Sequence, residues 1–224
     1  MKKIMILLIA LLCAELSADS RIAELYASLD NKKLQYPKAG NTPKIQSDLS
    51  SAQERKVAVL YKKYKFEWDY ILPVENKALI LDTYRRASKE NRGYLAASIH
   101  FIESRGSMDR LMTGVHVQKT GKVVIDCGAY GINTGTYADS IGDTKLTYSK
   151  AINYCYRLKH SNNLSYKLMM EVLDRAEQRL SSKKLDSKQM FRYTANYYNT
   201  GRLELIGSYW LKVVALTRLY RDVL

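Results

Sequence analysis

The chain has 224 residues, 46% of them apolar and 26% charged, a composition of ordinary globular proteins that excludes a disordered or low-complexity chain. Thirty-six Lys and Arg against 22 Asp and Glu give a formal charge of +14, which favours anionic partners. Only three prolines and eleven glycines occur, so long helices can run without interruption.

Lys2 and Lys3 precede an unbroken apolar run from Ile4 to Leu12, and small residues follow as far as Ala18. This pattern predicts a signal peptide over residues 1–18, cleaved after Ala18, and a product exported to the periplasm or cell envelope. A spanning helix needs about 20 apolar residues, roughly twice this run. Lipidation at Cys13 is disfavoured because Leu12 is bulky where a small residue is needed. Cleavage removes Lys2, Lys3 and Glu15, leaving a charge of +13. Outside the cytoplasm the polyanions on offer are wall polymers with their peptide carboxylates, or lipid headgroups. Nucleic acid is not expected, since no nucleic-acid-binding motif is present.

Residues 19–47 read as an N-terminal extension: a short helix carrying Ile22, Leu25, Tyr26 and Leu29, then a linker with Pro37, Gly40 and Pro43. Ser51-x-x-Glu54 fits a capping box, and the run that follows keeps helical spacing until Pro73. A further helix is expected over 75–90, stopping near Gly93, and a short one over 94–104 with Leu95, Ile99 and Ile102 on one face. Residues 105–147 lose the helical period and hold seven of the eleven glycines. Val115 to Ile125 fits a small hairpin turning at Thr120-Gly121. The helical period returns from Leu164 to Leu180, from Met190 to Tyr198, and beyond Gly207 from Trp210 to Tyr220. The fold class expected is mainly α, a helical domain over 48–224 with a small β or loop lobe.

Cys127 and Cys155 remain after cleavage, and they are either paired or free, since spacing alone does not show proximity. His100, His116 and His160 are not at ligand spacing for zinc, and His100 and His116 read as structural. Tyrosine is abundant, with 18 residues, but at helical spacing it is more often packing than recognition.

Glu103 stands out. It closes a helix whose own face carries Ala96 and Ile99, which would desolvate a carboxyl at the edge of a cleft and keep it protonated as a general acid requires. Around it, Ile102-Glu103-Ser104-Arg105-Gly106 resembles the glutamate-serine motif of soluble lytic transglycosylases and goose-type lysozymes. Gly128-Ala129-Tyr130-Gly131-Ile132-Asn133 is similar to that family's second, glycine-containing motif, and Tyr197-Tyr198-Asn199-Thr200-Gly201 to its third. Order and spacing agree over residues 92–206. The usual glutamine of the second motif is missing, with Asn133 or Thr134 in that neighbourhood, and Tyr197 stands where the third motif has alanine. The long segment between these two motifs predicts an added helix or lobe.

The resemblance implies a lysozyme-like fold with a glycan cleft. It implies cleavage of the bond between N-acetylmuramic acid and N-acetylglucosamine in peptidoglycan, with Glu103 as acid and then base and a 1,6-anhydro product. Tyr198 would orient the carboxyl or hydrogen-bond to it. Ser104 and Asn199 would hold the site, and Tyr130, Asn133 and Tyr197 would meet the substrate. The expected partner is the glycan strand, with a secretion or phage assembly as a further possibility; no metal or organic cofactor is implied. Two alternatives stay open: a muramidase that uses Asp109, Asp126, Asp139 or Asp143 as a second carboxylate, and a catalytically weak wall-binding component.

Overall fold

The computed structural model describes residues 49–107, 114–117 and 123–224. The expected signal peptide, the extension and linker, Asp109 and the Thr120-Gly121 turn lie outside the described residues. Among those described there are eight α-helices and one small sheet, so the chain is mainly α.

Helix α1 (Ser51–Phe66) starts one residue earlier than the expected capping box. The Ser50 hydroxyl accepts from the Gln53 backbone and the Gln53 side chain accepts from that of Ser50. The Ser50–Gln53 and Ser51–Glu54 pairs both fit the motif, but Glu54 is engaged elsewhere, by the two ends of the Arg218 guanidinium at 3.0 Å each. The helix runs into a π-helical turn, Glu67–Ile71, and ends before Pro73. Proline then opens α2 (Val74–Ser88), a position where its missing N–H costs nothing.

Helix α3 (Gly93–Ser104) departs from the expected one-sided pattern. Nine of its twelve residues are buried, so it is a central helix rather than a surface one. It packs against α2 and the last helix, α8 (Tyr209–Val223), which in turn packs on α1.

The glycine-rich stretch forms β1 (Gly114–Val117), β2 (Val123–Cys127) and β3 (Ile132–Asn133), antiparallel in the order β1-β2-β3. The register sets Asp126 opposite Asn133 and Val115 opposite Ile125. The expected hairpin is therefore present, and a third strand extends it. Within the stretch expected to lack helix lies α4 (Thr134–Ser140), seven residues capped by the Asn133 side chain, whose Oδ1 accepts from the Gly135 backbone N–H. So short a helix leaves no periodic signal.

Helices α5 (Tyr148–His160) and α6 (Asn162–Leu180) fill the long gap between the second and third motifs. Cys155 of α5 is disulfide-bonded to Cys127 of β2, joining the sheet to the helices behind it. Arg92, at the α2–α3 junction, grips Asp174 and Glu177 of α6 at 2.7 and 2.6 Å. Helix α7 (Ser187–Thr200) has a capping box of Asp186 and Gln189 and packs between α6 and α8. Among the described residues no helix is long and apolar enough to cross a membrane.

Candidate active site

The way α3 stops decides where the Glu103 carboxyl goes. Arg105 follows in the left-handed region, φ 56°, and Gly106 continues it at φ 75°. A side chain at 106 would put Cβ 2.5 Å from the carbonyl oxygen of Asn76, so only glycine fits this turn. The Arg105 guanidinium folds back to donate to the carbonyls of Phe101 and Ile102 at 2.9 and 3.1 Å, and its Nε meets Glu67 at 2.8 Å. Carbonyls of the last helical turn thus gain a cation, which also opposes the helix dipole. Asn76 donates to the Arg105 carbonyl at 3.0 Å and ties the turn to α2. Glu103 therefore leaves a helix end held at several points.

Two phenols and one bare backbone surround that carboxyl. The Tyr209 hydroxyl, at the first residue of α8, donates to Glu103 Oε1 at 2.8 Å. Gly131, at φ 62°, brings the second motif against the other oxygen: a Cβ there would lie 2.6 Å from Oε2. The Tyr198 hydroxyl donates at 2.6 Å to the carbonyl of Tyr130, linking the third motif to the second. Burial first, and then the Glu103 charge, push both Tyr198 and Tyr209 well above the ordinary phenol value, so both remain neutral donors.

Glu103 opens onto a cleft of about 440 Å³. The sheet side contributes Asp126, Gly131 and Asn133, α6 contributes Val172 and Arg175, and α7 contributes Tyr197, Tyr198, Asn199 and Thr200. Asn133 donates to Asp126 at 2.9 Å, so the amide and the carboxylate act as one polar pair. A smaller hollow of about 150 Å³ shares Asn133 and Thr136 with the cleft and reaches Asp139. Among the described residues no three His, Cys, Asp or Glu side chains converge as a metal site.

Of the seven residues singled out by the motifs, Glu103, Asn133, Tyr197, Tyr198 and Asn199 line this one cleft. Two do not. Ser104 is buried and donates to the His100 carbonyl of its own helix at 3.1 Å, because its Cβ faces inward while that of Glu103 faces the cleft. The Tyr130 ring is fully buried against His100, and its hydroxyl is 2.9 Å from Thr83; only its carbonyl serves the site. Neither side chain meets a ligand in the cleft. Thr134 also turns inward, accepting from the Ile125 backbone, so Asn133 is the polar side chain the second motif presents.

Holding the site falls to different residues than expected. Asn199 is exposed at the rim, whereas Asn196, one turn earlier, is fully buried. Its side-chain nitrogen donates to the carbonyls of Arg202 and Glu204, and its oxygen accepts from the Ile206 backbone at 3.0 Å. That fixes the loop which delivers Tyr209. The hydroxyl on the Glu103 carboxyl likewise belongs to Tyr209, while the single proton of Tyr198 goes to the Tyr130 carbonyl. His100 is buried beside Thr83, at 2.9 Å, which agrees with a structural reading.

No family model, curated protein or solved structure matches this chain. The cleft is thus described by its own residues. A second hollow of similar volume, between α1 and α8, holds none of the motif residues, and its Arg218 and Asp222 are already engaged by Glu54 and Tyr61.

Proposed function

We propose that the chain is an exported peptidoglycan lytic transglycosylase of lysozyme-like fold, with Glu103 as its general acid and base. One observation carries the reading. Three short motifs, separated by up to about a hundred residues, meet in one cleft around a single glutamate held at a fixed helix end.

In this reading Glu103 protonates the oxygen between N-acetylmuramic acid and N-acetylglucosamine, and the bond to the muramoyl C1 breaks. The N-acetyl group of the substrate stabilises the oxocarbenium-like centre, so one protein carboxylate suffices. Glu103, now ionised, takes the proton of the muramoyl C6 hydroxyl, whose oxygen closes on C1 to give the 1,6-anhydro sugar. Tyr209 fixes the carboxyl in place, and Asn199 at the rim offers an amide to the sugars, with the Tyr197 ring buried in the wall behind it. No metal or cofactor enters these steps.

Asp126 supports a second reading. It lines the same cleft as Glu103, beside Asn133, where a carboxylate would activate water in a hydrolase. Of the other aspartates considered, Asp143 is held by Tyr154 and Lys150, which keep it down at about 2, and Asp139 lies in the smaller hollow.

Mass spectrometry of the muropeptides released from purified sacculi separates these outcomes. Anhydro ends support the transglycosylase, reducing ends the muramidase, and no release by folded protein a wall-binding component.

A further inference from the structure

Helix α6 carries a cationic edge that the chemistry above does not use. Arg175 lines the cleft beside Val172, and Arg179 follows one turn later on the same face. The Arg179 guanidinium lies 5.7 Å from the ring centre of Tyr197, itself a cleft residue. Aromatic support of this kind orders a guanidinium without neutralising it.

The acidic residues of α6 are committed elsewhere. Asp174 and Glu177 are held by Arg92, and Glu171 by Lys167 at 3.7 Å. Among the described residues neither Arg175 nor Arg179 has a carboxylate partner. One guanidinium without a carboxylate partner in the wall of the cleft, Arg175, and a second just outside it against Tyr197, Arg179, form a site for anions, and the planar fork of arginine suits a carboxylate. In a peptide-bearing strand each muramoyl lactyl carboxyl is tied up in an amide bond, so the carboxylates on offer are those of the stem peptides.

We propose that Arg175 and Arg179 form a subsite for stem-peptide carboxylates, which makes the chain select peptide-bearing strands over bare glycan. This rests on the peptidoglycan reading of the cleft. It places the peptide against the α6–α7 wall, across the cleft from β2 and β3.

The test is binding, measured by sedimentation with soluble glycan strands of three kinds: carrying tetrapeptides, stripped of peptides by an amidase with the freed lactyl carboxylates then amidated, and carrying peptides whose carboxylates have been amidated. The wild-type protein is expected to bind the first kind roughly tenfold more tightly than the other two, with the preference fading as salt rises. In R175A/R179A the preference should vanish, and R175K/R179K should restore part of it. Equal binding of all three by the wild type overturns the subsite, as does a preference that survives in R175A/R179A or binding of none. The amidated strands need no variant, so the wild-type comparison decides the matter even where R175A/R179A fails to fold. Failure of the catalytic reading is separate: protein that prefers peptide-bearing strands yet releases no anhydro product keeps the subsite and loses the lyase.

Discussion

On its helical wall the cleft sets Glu103 by dry packing: α3 is buried along most of its length, Tyr209 is buried with it, and Tyr198 is half-buried at the cleft. On the opposite wall Asp126 and Asn133 are half-buried polar groups on a small sheet, paired with each other and open to the cleft. The first wall has a long hydrophobic core behind it, made by α2, α3 and α8. The second has a covalent bond, Cys127 to Cys155, fastening β2 to α5. A reacting group needs fixed geometry, which close packing supplies, whereas a substrate-contacting edge needs exposed polar atoms that cannot themselves form a core.

The largest effect belongs to the helical wall. Glu103→Gln keeps shape and polar contacts and removes the transferable proton, so turnover of sacculi should fall by about 10²–10⁴-fold while strand binding survives. Native turnover in this variant would sink the assignment of Glu103. On the sheet wall, Cys155→Ser opens a loop of 28 residues and should cost about 3–4 kcal/mol of stability in the chain-entropy model, read from urea unfolding. If the bridge fastens only the sheet wall, native-state hydrogen exchange should rise first in β2 and last in α3.

His100 offers a pH test of the dry wall. Burial holds its imidazole down at about 3, against 6.5 for the free side chain. Between these values the unfolded chain takes up a proton that the folded chain refuses. Stability contributed by the neutral ring is thus complete above pH 6.5 and declines as pH falls, by at most about 1.4 kcal/mol per unit. Urea unfolding at pH 7 and pH 5 should therefore differ by roughly 2 kcal/mol from this group, and His100→Gln should remove that difference. An unchanged pH slope in His100→Gln would mean that water reaches the ring.

Tyr209→Phe is the mildest of these changes. It removes the hydroxyl that meets Glu103 Oε1 and leaves the proton donor itself, so kcat should drop about tenfold with KM little altered. A rise in KM at constant kcat would make Tyr209 a substrate contact instead. Tyr198→Phe, which breaks the tie to the Tyr130 carbonyl, should lower kcat less than Tyr209→Phe does.

The parts of the fold legible beforehand are those with a strong local period. The helices over 75–90, 94–104, 164–180 and 190–198 lie close to their expected places, since apolar spacing records which face is buried. The α4 helix is too brief to show a period, while α5, whose buried Ala151, Tyr154, Cys155 and Leu158 keep helical spacing, was foreseen only as an added helix or lobe between the second and third motifs. The capping box slipped by one residue because two overlapping pairs satisfy it, and only the distant Arg218 decides between them.

The site divides in the same way. Local sequence was enough to single out Glu103, the glycine-containing stretch at 128–133 and the tyrosine-asparagine stretch at 197–201, because each needs particular residue types at fixed short spacing. It could not tell Asn196 from Asn199, nor Tyr209 from any other tyrosine at a helix start. Those roles follow from which side chains are brought together across 106 residues of chain, as in the Tyr209–Glu103 bond. Tertiary structure alone turned Ser104 and the Tyr130 ring inward, paired Cys127 with Cys155, and set Arg175 beside the cleft. The physical reason is common to all four. A sequence pattern fixes the direction of a side chain relative to its own helix or strand, while the packing between elements decides what that direction meets.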